Sequence, residues 1–171
     1  MKKKHSIGAV LVLEAIVLVL VFCFDLLMIS GVSGLEKSFA YFIDVPSLLL
    51  IVLVVAPALF VSGMGRDFLN AFSVGKREYS LRQLKRCLEA VQMVQKMIIC
   101  GTAMSGIISV VMILWMLFEK PELDETWLGP CLAVSILVVF YAVILEFFLI
   151  PVKANVQNTI TDLMDVEDEE A

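Results

Sequence analysis

Residues 97–118 read MIICGTAMSGIISVVMILWMLF, an apolar run that opens with two glycines, a threonine and two serines where leucine would suit lipid as well. A helix needs about 20 mainly apolar residues to cross a bilayer, and this run is long enough. Thr102, Ser105 and Ser109 fall three and four residues apart, which sets them along one face of a helix. Gly101 and Gly106 lie beside that stripe and allow a neighbouring backbone to come close. Two uses of the stripe stay open at this point. It is the small-residue and hydroxyl contact that holds helices together in lipid, or it is the wall of a hydrated path.

Working outward, residues 6–30, 45–64 and 128–150 form three more runs of the same kind. Each matches the roughly 30 Å hydrocarbon core at a small tilt. The 171-residue chain is 60% hydrophobic with a mean hydropathy of +0.94, whereas a soluble domain is about 45–50% apolar. The expected fold class is therefore an all-α membrane protein with four transmembrane helices. Pro57 lies inside the second run and Pro151 at the end of the fourth, where kinks and helix packing are expected.

Orientation follows from lysine and arginine, which are retained on the cytoplasmic side. With the N-terminus inside, 11 of the 13 basic residues are cytoplasmic, and only Lys37 and Lys120 face out. Both termini are thus expected in the cytoplasm. The opening MKKKHSIGAV resembles the start of a signal peptide, but its apolar run outlasts the about 7–15 residues of a signal core. It reads as a retained first helix. The tail, residues 157–171, is acidic and reads as disordered.

Between the second and third runs, residues 65–96 form a short cytoplasmic helical hairpin. Leu81, Leu84, Leu88, Val91 and Gln95 share one face of its second helix, which is expected to run straight into the third span. That apolar face would pack on an adjacent subunit or lie along the lipid surface. Cys23, Cys87, Cys100 and Cys131 have no CxxC spacing and read as small packing residues, with no disulfide framework and no metal site. The sequence shows no nucleophile motif or phosphate-binding loop, so no enzymatic activity, cofactor or nucleic-acid partner is expected.

Carboxylates inside the runs carry more information. Glu14 and Asp25 are three helical turns apart on one face of the first run, and Ser135 and Glu146 hold the same relation in the fourth. A carboxylate at the centre of a span costs about 2.5–3.5 kcal/mol on insertion scales. Each is therefore either a functional group, such as part of a proton relay, or shallow enough to be hydrated.

The second half of the chain resembles the MotA/TolQ/ExbB proton-channel family, and within it the flagellar-stator MotA branch. The resemblance lies in Gly101-Thr102 with Gly106 opening the third helix, Leu128-Gly129-Pro130 opening the fourth, Ala133-Val134, Tyr141, and Pro151 with Ala154. In the first half, FIDVPSLLLIVL (residues 42–53) and RDFLNAF (residues 66–72) are similar to that branch's second span and the stretch after it. The resemblance implies four helices with both termini inside, in the bacterial inner membrane. It also implies a homo-oligomer, pentameric in the family, around a single-span MotB-like partner whose aspartate carries the proton. By position Thr102 takes the place of the family's pathway threonine, and Ser105, Ser109, Ser135 and Glu146 would extend the path.

The chain departs from the branch in three places. Val54-Val55-Ala56 stands where the branch tends to carry Gly-Gly-Thr, and Val138-Val139 where it carries paired threonines. Valine has threonine's shape but cannot bond water, so both changes dry a lumen. About thirty residues replace the large cytoplasmic domain that engages a flagellar rotor. The expected function is an integral membrane subunit of an oligomeric proton channel or ion-driven stator. The alternative is a non-conducting membrane scaffold or accessory protein derived from the family.

Overall fold

A computed structural model describes residues 7–30, 45–75, 77, 79–119 and 125–169. These form five helices: α1 (Ile7–Ser30), α2 (Val45–Val61), α3 (Gly65–Ala71), α4 (Leu81–Glu119) and α5 (Glu125–Glu169). No strand occurs among the described residues. α4 has 39 residues and α5 has 45, so at 1.5 Å per residue they span about 58 and about 68 Å. Both outrun the about 30 Å hydrocarbon core by a wide margin.

Three helices, α1, α4 and α5, are long and apolar enough to cross a membrane. Their outer faces carry Leu20, Trp115, Phe118 and Ile136 at 63%, 68%, 92% and 66% exposure. Soluble monomers do not tolerate apolar surface on that scale, so this is a membrane-embedded protein. The expected second span is the exception. α2 has 17 residues, about 25 Å, and passes the same test only together with α3, from which it is bent by 110°. The spans therefore number three, or up to four.

The bend has a local cause. Gly63 adopts a left-handed φ of +67°, which only glycine reaches without strain. Its N–H bonds the Phe60 carbonyl at 3.1 Å, while Ser62 N–H bonds Ala58 O at 3.0 Å. Ser62 Oγ also donates to Leu59 O at 3.2 Å and accepts from Met64 N–H at 3.4 Å. These bonds close the end of α2 and turn the chain. α4 then starts on a capping box: Ser80 Oγ accepts from Gln83 N–H at 3.4 Å and Ser80 N–H donates to Gln83 Oε1 at 3.1 Å.

From that cap α4 runs unbroken into its membrane portion, as expected for the hairpin. Its buried seam is Leu84, Cys87, Val91, Val94 and Ile98, a three–four spacing that presents one stripe to a neighbour. Leu81, Leu88 and Gln95 lie beside this seam and are half-buried. The apolar face expected to meet a second subunit or lipid is covered by the chain itself. Val152 and Val156 of α5, Ala71 of α3, Val74 and Ile7 of α1 pack on Leu84, Cys87 and Val91. Asn155 Nδ2 fastens the intervening loop by donating to Val74 O at 3.2 Å. Arg86 pairs with Asp67 at 3.1 Å, but its side chain is 57% exposed, and such surface pairs contribute about 0–1 kcal/mol.

The tail is corrected by the structure. Residues 157–169, expected to be disordered, continue α5 as helix. Ile160 and Leu163 follow Val156 by four and seven residues and pack on the same core, so the segment has an apolar stripe to bury despite its charge. The four cysteines are free. Burial pushes the Cys87 thiol above its ordinary range, with the nearby Asp67 carboxylate adding and Arg86 opposing.

Leu84→Ala is expected to destabilise this lobe by about 2–5 kcal/mol through the cavity it leaves. The lower Tm in detergent should come with faster maleimide labelling of Cys87 than in the intact protein at neutral pH. Deleting residues 160–169 should also lower Tm, whereas an unstructured tail would leave it unchanged.

Candidate functional site

The antiparallel course of α4 and α5 follows from their contacts. Gln95 on α4 meets Glu146 on α5, and the later Ser109 shares a cleft with the earlier Ser135. Along this pair two clefts open, one above the other. The larger, about 780 Å³, is lined by Thr102, Gly106, Val110, Val139, Ala142, Glu146 and other apolar side chains. The smaller, about 370 Å³, is lined by Ser109, Met112, Met116, Cys131 and Ser135. Thr102 and Ser109 are seven residues apart, so the tiers sit about 10 Å apart along α4.

The larger cleft holds the chemistry. Gln95 Nε2 donates to Glu146 Oε2 at 2.8 Å, a well-formed hydrogen bond. The other carboxylate oxygen, Glu146 Oε1, is buried without a hydrogen-bond partner, and so is Thr102 Oγ1. Two buried polar oxygens without partners, one on each of the two helices lining an apolar cleft, are costly, about 1–3 kcal/mol each. A group seated in the cleft would recover that cost once either side chain turned its oxygen toward it. Among the described residues no three His, Cys, Asp or Glu side chains gather to hold a metal.

The predicted stripe is divided. Thr102 lines the larger cleft and Ser109 the smaller, while Ser105, 9% exposed, is turned into the protein. Ser135 shares its cleft with Ser109 and not with Glu146, and its hydroxyl bonds its own helix at Cys131 O, 2.9 Å. Glu14 is half-buried on α1, and its Oε2 is buried without a partner, yet it lines neither cleft. Asp25 lies in α1, and its side chain is outside the described residues.

The packing positions also separate. A methyl group on Gly101 would approach Val54 Cγ1 to 3.2 Å, so the glycine is the socket that receives α2. Val54 is thus the knob for this contact. Among the described residues, a methyl group built on Gly106 would meet nothing outside its own helix backbone within 4 Å. The glycine leaves room in the larger cleft, because it lies one turn after Thr102 on the open side of α4. Pro57 faces outward from α2, exposed, whereas Pro151 is half-buried inside α5.

Gln95 is the residue the sequence reading placed without a role. Its signal was present: an amide in a stripe of leucine and valine requires a partner when half-buried. The partner, Glu146, lies 51 residues away, beyond the reach of any local pattern. Compared with family models, with curated proteins and with solved structures, the chain finds no match in any of the three.

In a double-mutant cycle, Gln95→Leu and Glu146→Leu are expected to couple by about 1–3 kcal/mol, measured by chemical unfolding in detergent. Gln95→Leu alone should destabilise, since it strands the carboxylate. Glu146→Leu should be milder, because it removes the charge as well as the bond.

Proposed function

We propose that this chain is a four-span subunit of an oligomeric proton channel or ion-driven stator of the MotA/TolQ/ExbB kind. In this reading it sits in the bacterial inner membrane, with both termini and the α3–α4 hairpin cytoplasmic. The chain assembles with copies of itself and around a single-span MotB-like helix. The observation that carries the reading is the convergence of Thr102 and Glu146 on one cleft, each with a buried oxygen that no group among the described residues bonds.

The chemistry suits proton movement. A carboxylate takes up and releases a proton, and a hydroxyl both donates and accepts, so Thr102 can pass a proton between Glu146 and a group seated in the cleft. Gln95, anchored on Oε2, leaves Oε1 as the exchanging oxygen. In a ring of subunits the open side of the cleft would face the neighbouring copy or the partner helix. Such an arrangement agrees with the apolar surface of α4 around Ile107, Val111 and Trp115, which is 64%, 55% and 68% exposed.

One observation favours the second reading, a non-conducting scaffold. Val110, Val111, Val139 and Val143 line the same cleft, and none of them bonds water. On that reading the cleft is a dry seat for a helix, and Thr102 and Glu146 bond the helix instead of carrying protons.

Proton uptake into liposomes holding the purified protein, with and without a single-span partner, separates the two. A channel should lose flux by on the order of a hundredfold in Thr102→Val, keep it in Thr102→Ser, and remain assembled in both. A stable oligomer without flux supports the scaffold.

A further inference from the structure

The elbow between α2 and α3 forms a cleft apart from α4 and α5. It is about 720 Å³ in volume and is lined by Leu59, Phe60, Phe68, Leu69 and Arg66, with Gly63 and Gly65 at the turn. Neither glycine has a side chain to fill it, and a methyl group built on Gly63 would meet nothing within 4 Å. We infer that this elbow is a binding site for one anionic phospholipid, with Arg66 taking the phosphate and the apolar wall taking the start of an acyl chain.

Three features of the fold argue for that occupant. First, α2 is apolar along its length, and α3 leaves it at 110°. On the four-span reading proposed above, on which this site rests, α2 crosses the bilayer and α3 turns off along its surface, which puts the elbow at headgroup level. Second, the cleft joins one cation to an otherwise apolar wall, the combination an anionic lipid presents in reverse. Among the described residues Arg66 enters no ion pair, whereas the nearby Asp67 is taken by Arg86. Third, Phe60, Val61 and Leu69 flank the elbow at 87%, 90% and 68% exposure. Water would not tolerate that apolar edge at full exposure, and an acyl chain would cover it. The site does not depend on whether the chain conducts.

Native mass spectrometry of the delipidated full-length protein tests this, with phosphatidylglycerol, phosphatidylcholine and glycerol phosphate as probes. Phosphatidylglycerol should be retained at one molecule per chain. Arg66→Gln should weaken it on the order of fivefold to tenfold, with Arg66→Lys keeping most of the binding. Arg82→Gln, which removes an exposed arginine of α4, should change nothing. Leu69→Ser should weaken retention of the lipid while sparing Arg66.

Equal binding of phosphatidylcholine, or unchanged binding in Arg66→Gln, would overturn the site. Glycerol phosphate binding as tightly as the lipid would make it a plain anion site and overturn the acyl contact. A fall in oligomer mass in Arg66→Gln, with lipid retention unchanged, would assign the elbow to a second copy of the chain instead.

Discussion

The seam between α4 and α5 positions the rest of the molecule. Leu84, Cys87 and Val91 meet Val152 and Val156 at one end, and Val94 and Ile98 meet Tyr141, Ala142 and Leu149 further along. Lipid offers no hydrophobic drive for helices to associate, so the membrane portion depends on fit between side chains. The extramembrane end, in contrast, buries apolar residues from water and gains the usual stabilisation of about 25 cal/mol per Å². The lobe outside the membrane thus acts as the clamp that fixes the register of the two long helices inside it. α1, α2 and α3 then add to a pair already aligned.

That register has a chemical consequence. It brings Gln95 to Glu146 and sets Thr102 on the same cleft, at the level where the apolar part of both helices begins. A shift of either helix by one turn, about 5.4 Å, would separate the amide from the carboxylate and leave both unpaired in an apolar setting. The polar pair and the apolar seam therefore specify the same alignment, and neither does so as strongly alone. Buried polar groups fixing register is a use well known in helical assemblies.

The cleft remains open on its outer side because α4 turns small residues toward it. Among the described residues a methyl group on Gly106 would meet nothing within 4 Å, and Ala103, with Ala142 facing from α5, adds little bulk to the lining. On the opposite flank Gly101 is closed by Val54. The two glycines, equivalent in sequence terms, serve opposite ends: one seats α2 and the other keeps space for something outside the chain.

Much of the fold was legible in the sequence. Apolar length marks α1, α4 and α5 as membrane helices, because hydrocarbon thickness imposes a length that any residue order must meet. The caps at the ends of α2 and α4, Gly63 with Phe60 and Ser80 with Gln83, are local bonds that were not among the features read from the sequence. The candidate residues Thr102, Glu146, Gly101 and Gly106 were visible as exceptions to an apolar pattern. What each exception is for was not. A helical stripe groups Thr102, Ser105 and Ser109 by spacing alone, yet the packing turns Ser105 inward and divides the others between two clefts. The acidic tail looked disordered by composition, yet Ile160 and Leu163 find a core supplied by other helices. Only the tertiary structure decided these points, because a side chain's partner in a helical bundle is set by the rotation and register of a different helix.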